Sequence, residues 1–233
     1  MSIKVINLNR LSYLSALDIQ QKLFQKVKNA VQQQPQQHQQ SSLMKKKINY
    51  LLLVEHEPVY TVGIRNKQYL DLEFQNKLKN LGAHFVITNR GGLITFHGPG
   101  QLVAYPIINL ADFVETRKSI KTFVCLLESV IIDVCKDFNI TATRLDSYPG
   151  VWVGEGNRKI AAVGIHASRY VTMHGIALNC NIDLEWFQHI VPCGIEDKIV
   201  SSLSNELDRQ IDIAQVMPLF VDHFSKRLQC QIE

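Results

Sequence analysis

The sequence of 233 residues contains no apolar stretch near the roughly 18 to 20 residues that a bilayer-spanning helix needs, and runs such as LLLV at 51–54 have only the length of a strand. Its N-terminus also lacks the continuous apolar core of a secretory signal. Hydrophobic residues nevertheless make up 46% of the chain and charged residues 20%, which leaves ample apolar surface to bury. The composition therefore excludes wholesale disorder and a fibrous repeat, and it predicts a soluble globular protein that does not span a membrane.

Most of the chain has no excess of positive charge, although the net charge is +4. Residues 1–54 carry eight Lys and Arg against the single acid Asp18, whereas the remainder carries 17 basic residues against 20 acidic ones. Enzymes that act on nucleic acids normally follow the phosphates with a basic groove in the folded body. The charge distribution therefore argues against a nucleic-acid partner.

The five cysteines are too few for the dense pairing of a small secreted scaffold, and their number is odd. They are Cys125, Cys135, Cys180, Cys193 and Cys230. Both facts favour a reducing compartment. The N-terminus is poor in acids, as mitochondrial presequences are, but IKVINL at 3–8 alternates as a first strand would. Composition alone leaves both interpretations open.

One segment is unsuited to a core. Seven of the nine residues from Gln32 to Gln40 are Gln, Pro35 breaks any helix entering it, and lysines follow at 45–47. We therefore predict a single domain over residues 1–233 with a disordered Gln/Lys-rich insertion at about 31–47.

The remaining patterns predict strands around helices. Apolar residues recur every three or four positions from Thr116 to Phe138, which predicts a helix capped by Thr116 or Ser119. Further helical stretches are expected near 184–189, 197–206 and 211–229. A strand, a turn with Pro58 and a second strand are expected within 48–63, and further strands at 84–88, 102–110, 150–154, 159–167 and 171–182. Because no βαβ rhythm repeats, the expected fold class is α+β, or an irregular α/β fold, with a mixed β-sheet and packed helices.

Two segments are rich in small residues. NRGGLITFHGPGQ at 89–101 has four glycines, which give backbone N–H groups room to approach a ligand; two tight turns would explain them equally well. It is neither a GxGxxG fingerprint nor a Walker loop. In KIAAVGIHASRYVTMHGIALN at 159–179, alanines and glycines leave space for a narrow apolar slot. Lys159 opens this strand, where a snorkelling edge lysine is the usual interpretation.

A third segment, IVPCGI at 190–195, places Cys193 in a turn between proline and glycine. A cysteine mounted on a turn can present its sulfur to a cleft, where a nearby cation would favour the thiolate. A zinc site built from His174, Cys180, His189 and Cys193 is the alternative, but only His189 and Cys193 approach a zinc-like spacing. No GxSxG motif supports a serine hydrolase.

Together these segments resemble one family, the lipoyl(octanoyl) transferases, which move octanoyl from acyl carrier protein to a lysine of lipoate-dependent enzymes. RGGLITFHGPGQLVAYPI (90–107), RKIAAVGIHASRYVTMHGIALN (158–179) and IVPCGI (190–195) occur in the family's order and spacing, and the resemblance covers roughly residues 50–200. It departs from the pattern in Phe96, where Tyr is common, and in the Gln-rich insertion. The implied fold is that of the biotin and lipoate protein ligase catalytic domain.

The resemblance implies a site. Cys193 would be the acyl-thioester nucleophile and Lys159 would lower its pKa. The family's substrate-binding stretches map onto Arg90, Gly91, Gly92, Leu93, Ile94, Thr95, Phe96 and His97, onto Ala162, Val163 and Gly164, and onto Gly175, Ile176 and Ala177. No metal or cofactor is implied, because a thioester is already activated.

The resemblance also implies partners and a location. The donor would be octanoyl-acyl carrier protein, and the acceptors apo lipoyl domains of 2-oxoacid dehydrogenase complexes and the glycine cleavage H protein. We expect a monomer located in the mitochondrion, with the cytoplasm as the alternative. Two other functions remain open: an ATP-dependent lipoate or biotin protein ligase of the same fold, which needs no nucleophilic cysteine, and a non-catalytic module that binds acylated protein.

Overall fold

The computed structural model describes residues 1–33, 48–190 and 199–233. Its five helices are α1 (Tyr13–Gln32), α2 (Leu72–Asn80), α3 (Ile120–Asp137), α4 (Leu203–Leu207) and α5 (Ile213–Leu228). Its strands are β1 (Ser2–Leu11), β2 (Tyr50–His56), β3 (Val59–Val62), β4 (His84–Ile87), β5 (Ile94–His97), β6 (Gln101–Ile107), β7 (Ala142–Leu145), β8 (Tyr148–Val153), β9 (Arg158–Ser168), β10 (Val171–Asn179), β11 (Ile199–Val200) and β12 (Gln231–Ile232). Within these ranges no helix is long and apolar enough to cross a bilayer.

A mixed sheet forms the centre of the fold. Its strands lie in the order β12-β1-β2-β6-β10-β9-β8-β7, and β11 adds to β9 in parallel. The strands from β2 through β6, β10, β9 and β8 to β7 pair antiparallel, whereas β1 pairs parallel with both β2 and β12. The predicted mixed sheet with packed helices is thus confirmed.

The two faces of this sheet are covered by different helices. Alternate residues of β2 show the division, since Leu51 and Leu53 join a core with α3 and α5, whereas Leu52 and Val54 join a core with α1. This follows from the strand period of two, which sends successive side chains to opposite faces. Both faces are therefore buried where the central strands pair.

A second, smaller sheet has the order β4-β3-β5. It forms a third core with a 3-10 helix at Leu184–His189, in which the Phe96 ring stacks on Trp186 with centroids 4.8 Å apart. β5 falls within the segment that we expected to be a glycine-rich loop. In the segment 89–101 only the residues on either side of β5 are loop, because Ile94–His97 pairs antiparallel with Val59–Val62.

The predicted helix from 116 to 138 is present but shorter. It begins after Ser119, whose side chain accepts a hydrogen bond from the Thr122 N–H at 3.2 Å. Thr116 instead lies in a preceding 3-10 turn and bonds to the Leu110 carbonyl. α2 was not anticipated; it contributes the buried Leu78 and the partly buried Phe74 to the third core.

The predicted Gln/Lys-rich insertion lies mostly outside the described residues. Its first two positions, 31 and 32, belong to the last turn of α1. Near the C-terminus, the helical stretch expected at 197–206 consists of β11 followed by α4 at 203–207. The final helix α5 lies within the predicted range.

Candidate active site

A narrow cavity opens on the α1 side of the central sheet, where β9 and β10 face β5 and the loop before it. Twelve of the fourteen substrate-binding positions inferred from the sequence line it, so residues from three separate segments meet at one place. The lining comprises Arg90, Gly92, Leu93, Ile94, Thr95, His97, Ala162, Val163, Gly164, Gly175, Ile176 and Ala177, together with Tyr13, Val103, Tyr105 and His174.

The small residues of β9 and β10 are required by close approach of the backbone. Gly175 pairs with Gly164, and Ala177 with Ala162, across the two strands. A Cβ on Gly175 would lie 1.8 Å from the Ala104 carbonyl oxygen, and one on Gly164 would lie 2.8 Å from the Gly91 oxygen. These distances exclude a side chain at Gly164 and at Gly175, and the neighbouring Ala162 and Ala177 each add only a methyl group to the cavity lining.

Arg90 acts as a clamp within the wall of the cavity. Its guanidinium is buried and donates to the carbonyl and the hydroxyl of Thr61 at 2.6 and 2.9 Å, and to the Gly91 carbonyl at 2.9 Å. These bonds tie the glycine-rich loop to β3. Of the fourteen predicted positions, Gly91 and Phe96 do not line the cavity; Gly91 bonds to the Ile165 carbonyl of β9 and Phe96 packs in the third core.

Buried histidines surround the polar end of the cavity. Burial lowers the pKa of His56 to about 4 and that of His97 to about 3, so both are neutral at pH 7. The Tyr13 ring stacks on His97 with centroids 6.2 Å apart, and burial raises the pKa of Tyr13 to about 12. The Tyr105 hydroxyl lies 2.7 Å from His56 Nε2. This cluster is polar and carries no charge.

His174 forms another part of the wall. It adopts a φ of 59°, which non-glycine residues rarely take, and its Nε2 lies 2.7 Å from Asn89 Oδ1. Burial lowers the pKa of His174 to about 3. The backbone N–H of His174 donates to Gln20 Oε1 of α1 at 3.0 Å. The site is therefore connected directly to the first helix.

Lys159 is buried, contrary to the usual interpretation of a lysine that opens a strand. Its Nζ lies 5.1 Å from the centroid of the Trp152 ring, and its side chain passes over Gly150, where a Cβ would lie 2.6 Å from Lys159 Cε. The cation–π contact partly replaces the lost water. A lysine ammonium is thus held three residues before the cavity-lining Ala162.

Cys193 lies outside the described residues, in the segment 191–198. The described residues on either side fix where this segment starts and ends. It follows Ile190 at the end of the 3-10 helix and leads into β11, where Val200 pairs with Lys159 in parallel register. A bidentate ion pair between Arg158 and Glu206, at 2.8 and 2.7 Å, holds β11 and α4 against the start of β9.

A metal centre finds no support in the described parts of the chain, which contain no cluster of three or more His, Cys, Asp or Glu side chains suited to a metal ion. His174 and Cys180 are engaged elsewhere, in the cavity wall and in the core with α3. Of the two remaining zinc candidates, His189 is exposed at the end of the 3-10 helix, and Cys193 falls in the segment that is not described.

Sequence reasoning missed Tyr13, Val103, Tyr105 and His174 as lining residues. Tyr13 opens α1 and could not be associated with β5 or β10 from local pattern. Tyr105 and His174 do lie inside the motif segments, and a polar residue in a buried strand was the available signal.

The mixed sheet that carries the apolar slot and the buried lysine has the fold of the lipoate protein ligases. The fold agrees with a bipartite archaeal lipoate protein ligase from Thermoplasma acidophilum with a TM-score of 0.67 and 13% identity, covering 100% of this chain and 85% of that one. The chain belongs to the family described as the lipoyl protein ligase A/B catalytic domain, whose model matches residues 12–225. The family resemblance inferred from the motifs is thereby confirmed.

Relatives at higher identity carry more specific names. The chain is 49% identical over 231 residues to a Danio rerio protein named octanoyl-[acyl-carrier-protein]:protein N-octanoyltransferase LIPT2, mitochondrial, covering 99% of this chain and 94% of that protein. It is 40% identical over 235 residues to an octanoyltransferase of Flavobacterium psychrophilum, with 99% and 98% of the two chains covered.

Proposed function

We propose that this protein is an octanoyltransferase, which moves an octanoyl group from acyl carrier protein to a lysine of a lipoyl domain through a thioester on Cys193. The observation that carries the proposal is the apolar cavity beside β9 and β10. Residues of β9 line this cavity, and the same strand carries Lys159, whose ammonium is buried against Trp152. The names of the 49% and 40% identical relatives support the acyl group and the donor.

The reaction has two steps. The Cys193 thiolate attacks the carbonyl carbon of the octanoyl thioester and forms a new C–S bond, the C–S bond to the carrier breaks, and the released carrier thiolate takes up the proton that Cys193 lost. The amine of the acceptor lysine then attacks the enzyme thioester, an amide bond forms, and the Cys193 thiolate is released while the amine loses a proton. No ATP is consumed, because the thioester supplies the activation.

Lys159 would serve both steps by its charge. A cation within about 4 to 6 Å favours the thiolate over the thiol, and this raises the reactive fraction at pH 7 and improves the leaving group of the second step. The short distance along the chain supports an interaction between Cys193 and Lys159. Cys193 is seven residues before Val200, and Val200 pairs with Lys159 between β11 and β9.

The cavity would hold the acyl chain. Burial of about six methylenes at roughly 0.8 kcal/mol each gives an upper bound near 5 kcal/mol of binding free energy. Backbone N–H groups of the glycine-rich segment are the available donors for the oxyanion of the tetrahedral intermediate.

The ligase alternative requires a basic cradle for the phosphate of an acyl-adenylate. Among the described residues of the cavity wall the one arginine is Arg90, which donates to Thr61 and Gly91. A binding module would need neither a nucleophile nor a buried lysine beside the cavity. Both observations favour the transferase. The acceptors we propose are lipoyl domains of 2-oxoacid dehydrogenase complexes and the glycine cleavage H protein, and we propose that the protein acts as a monomer. We also propose a mitochondrial location, because the name of the zebrafish relative places that protein in the mitochondrion.

The test is a two-stage assay with the purified protein. Incubation with octanoyl-acyl carrier protein, without ATP and without acceptor, should give an octanoyl adduct that hydroxylamine removes and that peptide mapping places on Cys193. Addition of an apo lipoyl domain should transfer the adduct to a lysine.

The matched controls are two cysteine variants. Cys193→Ala should abolish both stages, whereas Cys125→Ala, at a half-buried position on α3, should retain them. Full activity of Cys193→Ala, or a requirement for ATP, would establish the ligase mechanism instead.

A further inference from the structure

A chain of four hydrogen bonds connects the cavity wall to the backbone of Lys159. His97 Nδ1 lies 2.7 Å from Gln101 Oε1, Gln101 Nε2 donates to Asn179 Oδ1 at 2.9 Å, and Asn179 Nδ2 donates to the Ser201 carbonyl at 2.8 Å. The Ser201 N–H in turn donates to the Lys159 carbonyl at 2.9 Å. All five residues in this chain of hydrogen bonds are buried.

The Ser201 carbonyl determines which group donates and which accepts in each side-chain bond of this chain. The Ser201 carbonyl can only accept, so Asn179 must donate to it with Nδ2 and present Oδ1 to Gln101. Gln101 must then donate with Nε2, which also donates to the Phe96 carbonyl at 3.3 Å, and must accept with Oε1. His97 therefore carries its proton on Nδ1, and its Nε2 holds a lone pair.

The lone pair of His97 Nε2 is available to a ligand. His97 lines the cavity, and no donor among the described residues lies within hydrogen-bond distance of its Nε2. His56, its neighbour with ring centroids 5.8 Å away, differs in this respect. His56 Nδ1 lies 3.1 Å from the Leu11 carbonyl, which can only accept, so its Nε2 accepts from the Tyr105 hydroxyl. Both nitrogens of His56 are therefore used by the fold.

We propose that His97 Nε2 accepts a hydrogen bond from the N–H of the attacking lysine amine in the second step, which makes His97 a specificity-determining residue for an amine acceptor. The assignment rests on the proposed transfer through a thioester. The octanoyl chain and the thioester offer no donor, whereas the amine does. The hydrogen bond that its N–H donates strengthens as positive charge develops on the nitrogen during attack. His97 also lies at the end of the cavity nearest Lys159. Its partner Gln101 pairs with Asn179 across β6 and β10, at the end of the sheet where β9 begins and Lys159 lies.

The surroundings keep His97 an acceptor at working pH. The groups that face it are His56 of β2, Tyr13 of α1, Arg90 of the glycine-rich segment and His174 of β10. Burial, and the charge of Arg90, lower the pKa of His97 to about 3. An imidazolium, which would donate and repel the amine, is therefore excluded near neutral pH.

The first test separates the two half-reactions in His97→Asn. An asparagine amide reaches the position of Nδ1, so it can still donate to Gln101 while the Nε2 acceptor is lost. Formation of the Cys193 adduct should stay within about 2-fold of wild type, and its discharge to an apo lipoyl domain should slow by about 10- to 100-fold, the range for a hydrogen bond to a charged group. Discharge at the wild-type rate, or an equal loss in both half-reactions, would overturn the proposal.

The matched control is His56→Asn. Because both ring nitrogens of His56 are used by the fold, any loss in this variant should be equal in the two half-reactions. A wild-type protein that forms no adduct at all would overturn the proposed function, which is a different result from an adduct that His97→Asn discharges normally.

A second measurement does not depend on activity. In the full chain labelled with nitrogen-15 at histidine, long-range proton–nitrogen correlation spectra should show His97 as the Nδ1–H tautomer. Gln101→Met, which removes the acceptor, should populate the Nε2–H tautomer and slow discharge. A wild-type His97 protonated on Nε2 would overturn the proposal.

Discussion

Lys159 and Ala162 point to the same face of the central sheet, although they are three residues apart on one strand. The reason is a bulge, because Val151 pairs with Ala161 while Trp152 pairs with Lys159, so that Ile160 is an extra residue. Ile160 and Ala161 both enter the core with α3. A regular strand would have turned Lys159 away from the cavity.

The first prediction concerns the charge of Lys159. Lys159→Met keeps the length of the side chain and removes the ammonium, so alkylation of Cys193 at pH 7 should slow by about 10-fold or more, since a neighbouring cation shifts a thiol pKa by at least about one unit. Octanoyl transfer should fall with it. The measurement is the alkylation rate against pH. An unchanged rate across pH would show that Lys159 does not act on the thiol by its charge.

The second prediction uses Gly150, which supports the lysine. It has a φ of +122°, and an added Cβ would lie 2.5 Å from the Ala161 carbonyl oxygen and 2.6 Å from Lys159 Cε. Gly150→Ala should lower the free energy of unfolding by about 1 to 3 kcal/mol and slow alkylation of Cys193, because Lys159 must move.

The control for this prediction is Gly82→Ala. Gly82 has a φ of +92°, but nothing lies within 4 Å of its added Cβ. Gly82→Ala should therefore show the cost of backbone strain with normal thiol reactivity. A Gly150→Ala variant with normal thiol reactivity would argue against a positioned Lys159.

The third prediction addresses the length of the acyl chain. Ala162 lines the cavity opposite Ala177, so Ala162→Leu should shorten the space available to the chain. We expect kcat/KM for octanoyl to fall about 10-fold relative to hexanoyl, because two methylenes contribute roughly 0.8 kcal/mol each when buried. The comparison substitution is Ala111→Leu, at an exposed position, which should leave this ratio unchanged. An unaltered ratio in Ala162→Leu would place the acyl chain elsewhere.

The fourth prediction is a pH dependence of stability. Hydrogen bonding to Arg158 lowers the pKa of Glu206 from its ordinary value of 4.5. A carboxyl whose pKa is lowered by folding stabilises the fold above its unfolded pKa, and this contribution is lost as the pH falls through the folded pKa. Glu206→Gln should therefore reduce stability at pH 7 by about 1 kcal/mol, and the difference from wild type should vanish well below pH 4.5.

Thermal unfolding across pH is the measurement for Glu206. Asp222→Asn, which removes an exposed ion pair with Lys226 on α5, is the control and should not change Tm measurably at any pH. A difference between Glu206→Gln and wild type that persists at low pH would assign the loss to packing rather than to charge.

The sequence by itself determined the elements whose signal is local. The apolar period of α3 depends only on neighbouring turns, and the order of the motifs at 90–107 and 158–179 identified the family that the comparisons confirm. The resemblance to that family also selected twelve of the residues that line the cavity.

Tertiary structure alone decided the rest, because the deciding contacts join residues far apart in the chain. Phe96 and His97 are adjacent, yet the alternation of β5 sends the first into a core with Trp186 and the second toward the cavity. The bulge at Ile160 depends on pairing with β8 and gives Lys159 its direction. The proton position on His97 is determined by the carbonyl of Ser201, more than a hundred residues away, through bonds that exist only in the folded chain.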